Sequence, residues 1–252
     1  MSKWAAFPLL SFDLESTGIS VFNDRIVQGA LVRVPGSEEK ARRPETWQWL
    51  VNPGVPIPDA AAEVHGITTE RVVDEGCRPA QALHELTDRI ATWMSAGWPL
   101  VGMNLSYDLS MLEAENIRHG IATLASRLPK GIAPVLDVLV LDKHADPYRK
   151  GGRKLEALCA TYGVTHIGAH DAAGDALAAA RLFPKIMAKH ARKFPGHSLG
   201  SLHQAQVTWR RDQMGSLAAY FDRNGTVHDG CCGAWPVHTA DCAPAHREAV
   251  AA

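Results

Sequence analysis

Apolar residues come in short blocks through the first fifty positions and then shift to a helical spacing. Residues 8–13 read as a first strand. Residues 25–34, closed by Pro35-Gly36, read as a second, and residues 45–51 alternate before Asn52-Pro53-Gly54 and read as a third. The turns between them are short and polar, which suggests an antiparallel meander. From 80 to 94 the period changes: Ala82, Leu83, Leu86, Ile90 and Trp93 form a helical stripe. Residues 99–103 make a short apolar strand, and Ser106 can cap a helix carrying Leu109, Met111, Leu112 and Ile117. Residues 133–141 read as a further strand, with helices expected over about 153–162 and 171–190. Three strands followed by strands alternating with helices predict an α/β fold, a mixed sheet covered by helices.

The last stretch differs. Pro195-Gly196 breaks the chain, and Ser198 can cap a helix running to about Phe221, packed by Leu199, Leu202, Trp209, Leu217 and Phe221. A Gly/Cys/His-rich segment and an Ala-rich tail follow. We therefore expect a main domain over 1–195 and a C-terminal helical and irregular extension over 196–252, with a disordered tail after about Asp241.

Composition narrows the function classes. At 252 residues, 46% hydrophobic and 21% charged, the chain has a normal globular balance. A formal net charge of -1 excludes a whole-protein field for polyanions, so any nucleic-acid contact must be local. The N-terminal apolar stretch is too short for a signal peptide, and no stretch reaches the length of a membrane span. Five cysteines without an export signal imply thiols in a reducing cytoplasm.

Candidate chemistry starts at the end of the first strand. Asp13 and Glu15 are two residues apart, so they share one face, roughly 7 Å apart at Cα. Two like charges there call for a cation between them; the alternative is a charged strand end beside a turn. Asp108 follows another core strand and, after Ser106, falls in a first helical turn, where the dipole also favours a carboxylate. Asp171 is an N-cap candidate for the helix that carries Asp175, with His170 just before it. Asp13, Glu15, Asp108 and Asp175 form an oxygen-rich, thiol-free set that favours Mg²⁺ or Mn²⁺ over Zn²⁺. Two such ions can clamp an in-line phosphoryl displacement, with His170 as the base for the attacking water.

At these residues the sequence resembles the DnaQ-like exonucleases, the DEDDh branch that includes the proofreading epsilon subunit of bacterial DNA polymerase III. Asp13-Leu14-Glu15-Ser16-Thr17-Gly18 matches the first motif, with Ser16 in place of Thr. Asn104 and Asp108 match the second, His170 and Asp175 the third, and Val64-His65-Gly66-Ile67-Thr68 a further family segment. The resemblance implies an RNase H-like mixed five-stranded sheet flanked by helices and a 3′→5′ exonuclease using two divalent cations, Mg²⁺ or Mn²⁺. It implies Asp13, Glu15, Asp108 and Asp175 as metal ligands and His170 as general base. Ser16, Thr17, His65, Ile67 and Asn104 would touch the terminal nucleotide; for Ile67, core packing is the equal alternative. DNA is the substrate expected over RNA, with a DNA polymerase as a partner. An exoribonuclease of the same fold and a non-catalytic binding module are the rival readings. Asp171 stands where a basic residue often lies beside the catalytic His.

Three features stay outside this scheme. Residues 149–154 are basic and could meet a phosphate backbone or form a solvated loop. Arg210-Arg211 is expected as an exposed charged pair. His228, Cys231, Cys232, His238, Cys242 and His246 are numerous enough for a zinc site, but they fit no paired Cys-x-x-Cys spacing, so a packed loop is expected there.

Overall fold

The computed structural model describes residues 3–36, 43–168, 171–228, 231–238 and 242. Strands β1 (Leu9–Ser16), β2 (Ile26–Val34) and β3 (Glu45–Leu50) form the expected antiparallel meander. Strands β4 (Leu100–Gly102) and β5 (Val135–Asp137) join β1 in parallel, giving the order β3-β2-β1-β4-β5. Helices α1 (Asp59–His65), α2 (Thr69–Glu75) and α3 (Pro79–Ser95) follow the meander. Helices α4 (Leu105–Arg118) and α5 (Leu124–Arg127) connect β4 to β5. Helices α6 (Val138–Ala145), α7 (Leu155–Tyr162), α8 (Ala172–Lys189) and α9 (Leu199–Arg223) follow β5.

Strand β1 lies at the centre, and its two faces have separate partners. Leu10, Phe12 and Leu14 pack with Leu83, Leu86 and Ile90 of α3 and Leu109 of α4. Leu9 belongs to the opposite core, with Leu182, Phe183 and Ile186 of α8. The two-residue period then sends Ser11, Asp13 and Glu15 toward the α8 side. Ser11 is fully buried there, and its Oγ lies 2.6 Å from the Ala176 carbonyl and 3.1 Å from that of Val101. A hydroxyl with one proton thus ties β1 to α8 next to Asp175.

Two expected boundaries move, for one reason. The 133–141 run splits at Asp137 into a short strand and α6. The Asp137 carboxylate accepts from Leu139 N at 2.9 Å, capping α6. It also accepts from Asn104 N and Leu105 N, both at 3.0 Å, and so satisfies the first amides of α4. Ser106 is therefore not the cap; Asn104, at φ 57°, occupies that position. A carboxylate distant in sequence replaces the local hydroxyl that the pattern suggested.

Ser198 caps α9 through a reciprocal capping box with Ser201. Helix α9 covers the exposed edge of β5. Val135 N donates to His203 Nδ1 (3.1 Å), Asp137 N to Gln206 Oε1 (2.8 Å), and Gln206 Nε2 to Val135 O (3.0 Å). Side chains thus complete a ladder that would otherwise be open. Arg210 is buried, contrary to its expected exposure, because this face of α9 meets the Asp137 carboxylate, its charge neighbour. Beyond α9, Trp235 enters the α3–α4 core, and His238 N donates to Ser110 Oγ of α4 at 2.7 Å. Cys232 and Cys242, with Cα atoms 6.0 Å apart, form a disulfide, so the five-thiol expectation does not hold. Cys77, Cys159 and Cys231 form no disulfide among the described residues. Apart from Cys242, the tail expected to be disordered lies outside the described residues.

Candidate active site

Carboxylate oxygens of Asp13, Glu15 and Asp175 lie within 4.8 Å of one another. Strand alternation brings the first two onto the α8 side, and the first turn of α8 brings the third. Asp171 caps that helix, as expected, by accepting from Gly174 N at 3.3 Å, and it also accepts from Gln48 Nε2 at 3.2 Å. Asp108 approaches from α4. It is buried, and its Oδ1 accepts from Leu14 N at 3.1 Å, between the two β1 acids.

The electrostatics of this cage are unfavourable without a cation. Burial, and then the charges of Asp108, Glu15, Asp175 and Asp171, hold Asp13 well above the usual carboxylate range. Burial, with Asp175 and Asp171, pushes Glu15 up to about 8. Burial raises Asp108 too, opposed by hydrogen bonds from its own amide and that of Leu14. Closely spaced hard oxygen donors at such cost suit a divalent cation of the Mg²⁺ or Mn²⁺ class. The residues therefore fit the group that the sequence motif implies.

A cavity of about 340 Å³ opens beside the cage, within the range of small-ligand sites. Glu15 to Ile19 form one wall, Pro58, Val64 and His65 of the α1 region another, and Tyr107 lies across them. Ser16 Oγ and Tyr107 Oη are 2.7 Å apart, and they reach the Gly18 carbonyl at 2.8 and 2.6 Å. His65 Nε2 sits 3.3 Å from the Ser16 carbonyl, while its Nδ1 accepts from Ile67 N at 3.1 Å.

Other candidates are placed differently. Thr17 lines the cavity but spends its hydroxyl on the loop, donating to Asp24 Oδ1 (3.1 Å) and accepting from Arg25 N (3.0 Å). Ile67 packs with Val27, Ile57 and Val72, the core alternative weighed from the sequence. Asn104 lines a separate cavity of about 180 Å³ that shares Ile19 and Tyr107 with the first. In the basic 149–154 segment, Arg149 and Arg153 both pair with the buried carboxylate of Asp142.

His170 lies outside the described residues. The imidazole that the described residues bring to the cage is His166, whose Nε2 is 2.6 Å from Asp175 Oδ1. Sequence reasoning missed it: the contact spans nine positions across a loop and follows no helical or strand period. The loop comes close because residue 174 is glycine, where a Cβ would sit 2.5 Å from both Ile167 O and Gly168 O.

The family model described as exonuclease (RNase_T) matches residues 10–183. The chain belongs to this exonuclease family. Among relatives, a DNA polymerase III subunit epsilon-like protein of Rhodobacter capsulatus is 33% identical over 179 residues. That match takes in 70% of this chain and 23% of the relative. A PolC-type DNA polymerase III of Lacticaseibacillus paracasei is 25% identical, across 83% of this chain and 13% of the polymerase. The chain thus spans less than a quarter of either protein. Exonuclease I from Methylocaldum szegediense superimposes with a TM-score of 0.60 at 20% identity, covering 75% of this chain and 42% of the other. Escherichia coli exonuclease I in complex with a dT13 oligonucleotide gives 0.57 at 20% identity, with the same coverage. The mixed sheet is therefore the RNase H-like exonuclease fold, and the acid cage lies within the matched span of the exonuclease family.

Proposed function

We propose that the chain is a divalent-metal-dependent 3′→5′ exonuclease that removes nucleotides from the 3′ end of DNA. The observation that carries this reading is the convergence of Asp13, Glu15 and Asp175 within 4.8 Å beside a nucleotide-sized cavity. Asp13, Glu15 and Asp175 would hold one cation, Asp13 would bridge to a second, and Asp108 would hold that second ion. When bound, the cations would neutralise charge on the reacting phosphate and lower the pKa of an attacking water.

The protein's own groups do the rest. The 340 Å³ cavity receives the terminal nucleoside, with the Ser16–Ile19 wall and the His65 backbone region fixing its position. Asn104 borders the strand from the adjoining cavity. His170 takes a proton from the water; water oxygen bonds to phosphorus as the P–O3′ bond breaks. The products are a nucleoside 5′-monophosphate and a shortened strand with a free 3′ hydroxyl. Polarity and the DNA preference are supported by the motif resemblance and by relatives named for DNA polymerase III. Those relatives also support a polymerase as the partner. Among the described residues, no helix is long and apolar enough to cross a membrane.

The test uses end-labelled single- and double-stranded DNA and RNA, with Mg²⁺, Mn²⁺ or EDTA, beside Asp13→Ala. Stepwise shortening of DNA from its 3′ end, abolished by EDTA and by the substitution, is expected. Shortening that survives either treatment would overturn the metal-dependent reading, and faster digestion of RNA would overturn the DNA preference.

A further inference from the structure

We propose that Cys232, His238 and Cys242 form a zinc site, separate from the acid cage, that crosslinks the C-terminal segment where it packs on α4 beside the active site. One ligand atom from each of the three lies within 4.8 Å of the other two. A zinc ion with bonds of about 2.3 Å to sulfur and 2.0 Å to nitrogen needs ligand atoms roughly 3.5–3.8 Å apart, so small side-chain movements suffice. Two thiolates and an imidazole make a soft donor set that selects zinc, whereas the carboxylate cage selects harder ions. The spacing Cys-x₅-His-x₃-Cys lacks a paired Cys-x-x-Cys, and only the folded chain shows that the three groups converge.

The surroundings give the site a purpose. Residues 231–238 form no helix or strand, yet Trp235 enters the core and His238 N is fixed to Ser110 Oγ. A segment ordered with so little regular hydrogen bonding gains from a crosslink. Cys232 and His238 line the 180 Å³ cavity together with Asn104 and Tyr107. Ser110 lies on the same helix as Asp108. A metal at this point would hold the segment as a wall of the cleft that the proposed substrate enters.

The disulfide and the zinc site are alternative states of the same sulfurs. Reduction by a dithiol transfers two electrons and two protons to the Cys232–Cys242 bond, leaving two thiols and an oxidised dithiol. Zn²⁺ then displaces both thiol protons, and His238 adds a neutral imidazole nitrogen. A water molecule completes four-coordination.

The test is zinc retention by the full chain, reduced with a phosphine, loaded with zinc and dialysed against a weak chelator. Asp13→Ala is the background, so that zinc in the acid cage is not counted. Retention of about one zinc per chain is expected. Cys232→Ser and Cys242→Ser should lose it, and Cys231→Ser, which alters the neighbouring thiol, should keep it. A second readout needs no cysteine variant: zinc should slow reaction of two thiols with a disulfide reagent, and cobalt should give a thiolate charge-transfer band. No retained zinc, equal retention in all three serine variants, or thiol reactivity unchanged by zinc would overturn the proposal. Failure here leaves the exonuclease reading intact, because that reading rests on the acid cage.

Discussion

His166 Nε2 lies 2.6 Å from Asp175 Oδ1, so an imidazole occupies an oxygen of the same carboxylate that faces Asp13 and Glu15. If a cation takes that oxygen, the hydrogen bond stabilises only the metal-free protein. Removing it raises the free energy of the empty state alone. His166→Ala should therefore lower the metal-free melting temperature and tighten Mn²⁺ binding about fivefold, or about 1 kcal/mol, the net worth of a typical hydrogen bond. Calorimetric titration checks this; unchanged affinity would show that the bond persists with metal bound.

The raised carboxyls predict how metal-free stability depends on pH. Glu15, near 4.5 when unfolded, sits at about 8 in the fold because of burial, Asp175 and Asp171. Between those values the folded state binds more protons than the unfolded state. Its stabilising share is complete below about 4.5 and is lost as pH rises through about 8, at up to about 1.4 kcal/mol per pH unit. Asp13 and Asp108, also raised, act in the same direction. The metal-free melting temperature should fall from pH 5 to 8, and added Mg²⁺ should stabilise more at pH 8 than at pH 6. A flat metal-free profile would contradict the charge crowding.

Asp137 predicts a fold defect that reaches the active site. Its carboxylate caps two helices and neighbours the buried Arg210. Asp137→Ala leaves several amides and a buried cation without compensation, at about 3–5 kcal/mol. Urea unfolding should show that loss, and Asp137→Asn should retain part of the stability. The double variant Asp137→Leu, Arg210→Met should be far less damaging than Asp137→Ala, since it removes both charges together.

Strand β1 was legible because both physical signals are local: an apolar run ends in two acids on one face. Ser198 and Asp171 were legible as caps because their partners are three residues away. Asp137 was not, since its carboxylate reaches Asn104 across 33 positions and turns an apparent strand into a strand–helix junction. Nor was the burial of Arg210, which follows from α9 lying against β5. At the site, periodicity placed Asp13 and Glu15 together, but His166 depends on a loop closing over Gly174. Ile67 was read equally as core or as substrate contact, because an apolar residue beside a motif carries both signals; its packing is core.

Gly174 offers a test that separates positioning from stability. Its neighbours are fixed: Asp171 caps α8 on one side, and Asp175 reaches the cage on the other. A Cβ at 174 would meet two backbone carbonyls, Ile167 O and Gly168 O, at 2.5 Å, and backbone cannot yield as a flexible side-chain tip can. In Gly174→Ala the 167–168 loop must lift away from the start of α8, carrying the His166 contact with it. Alanine is itself a good helix residue, which offsets part of the clash. The net stability loss should be modest, about 1–2 kcal/mol, in the range of overpacking. Catalysis should suffer more, because displacement of a reacting group by about 1 Å can lower rate about a hundredfold. Turnover on a 3′-labelled oligonucleotide, measured well below the variant's melting temperature, decides between them. A rate loss no larger than the fraction unfolded would show that this loop does not position the reacting groups.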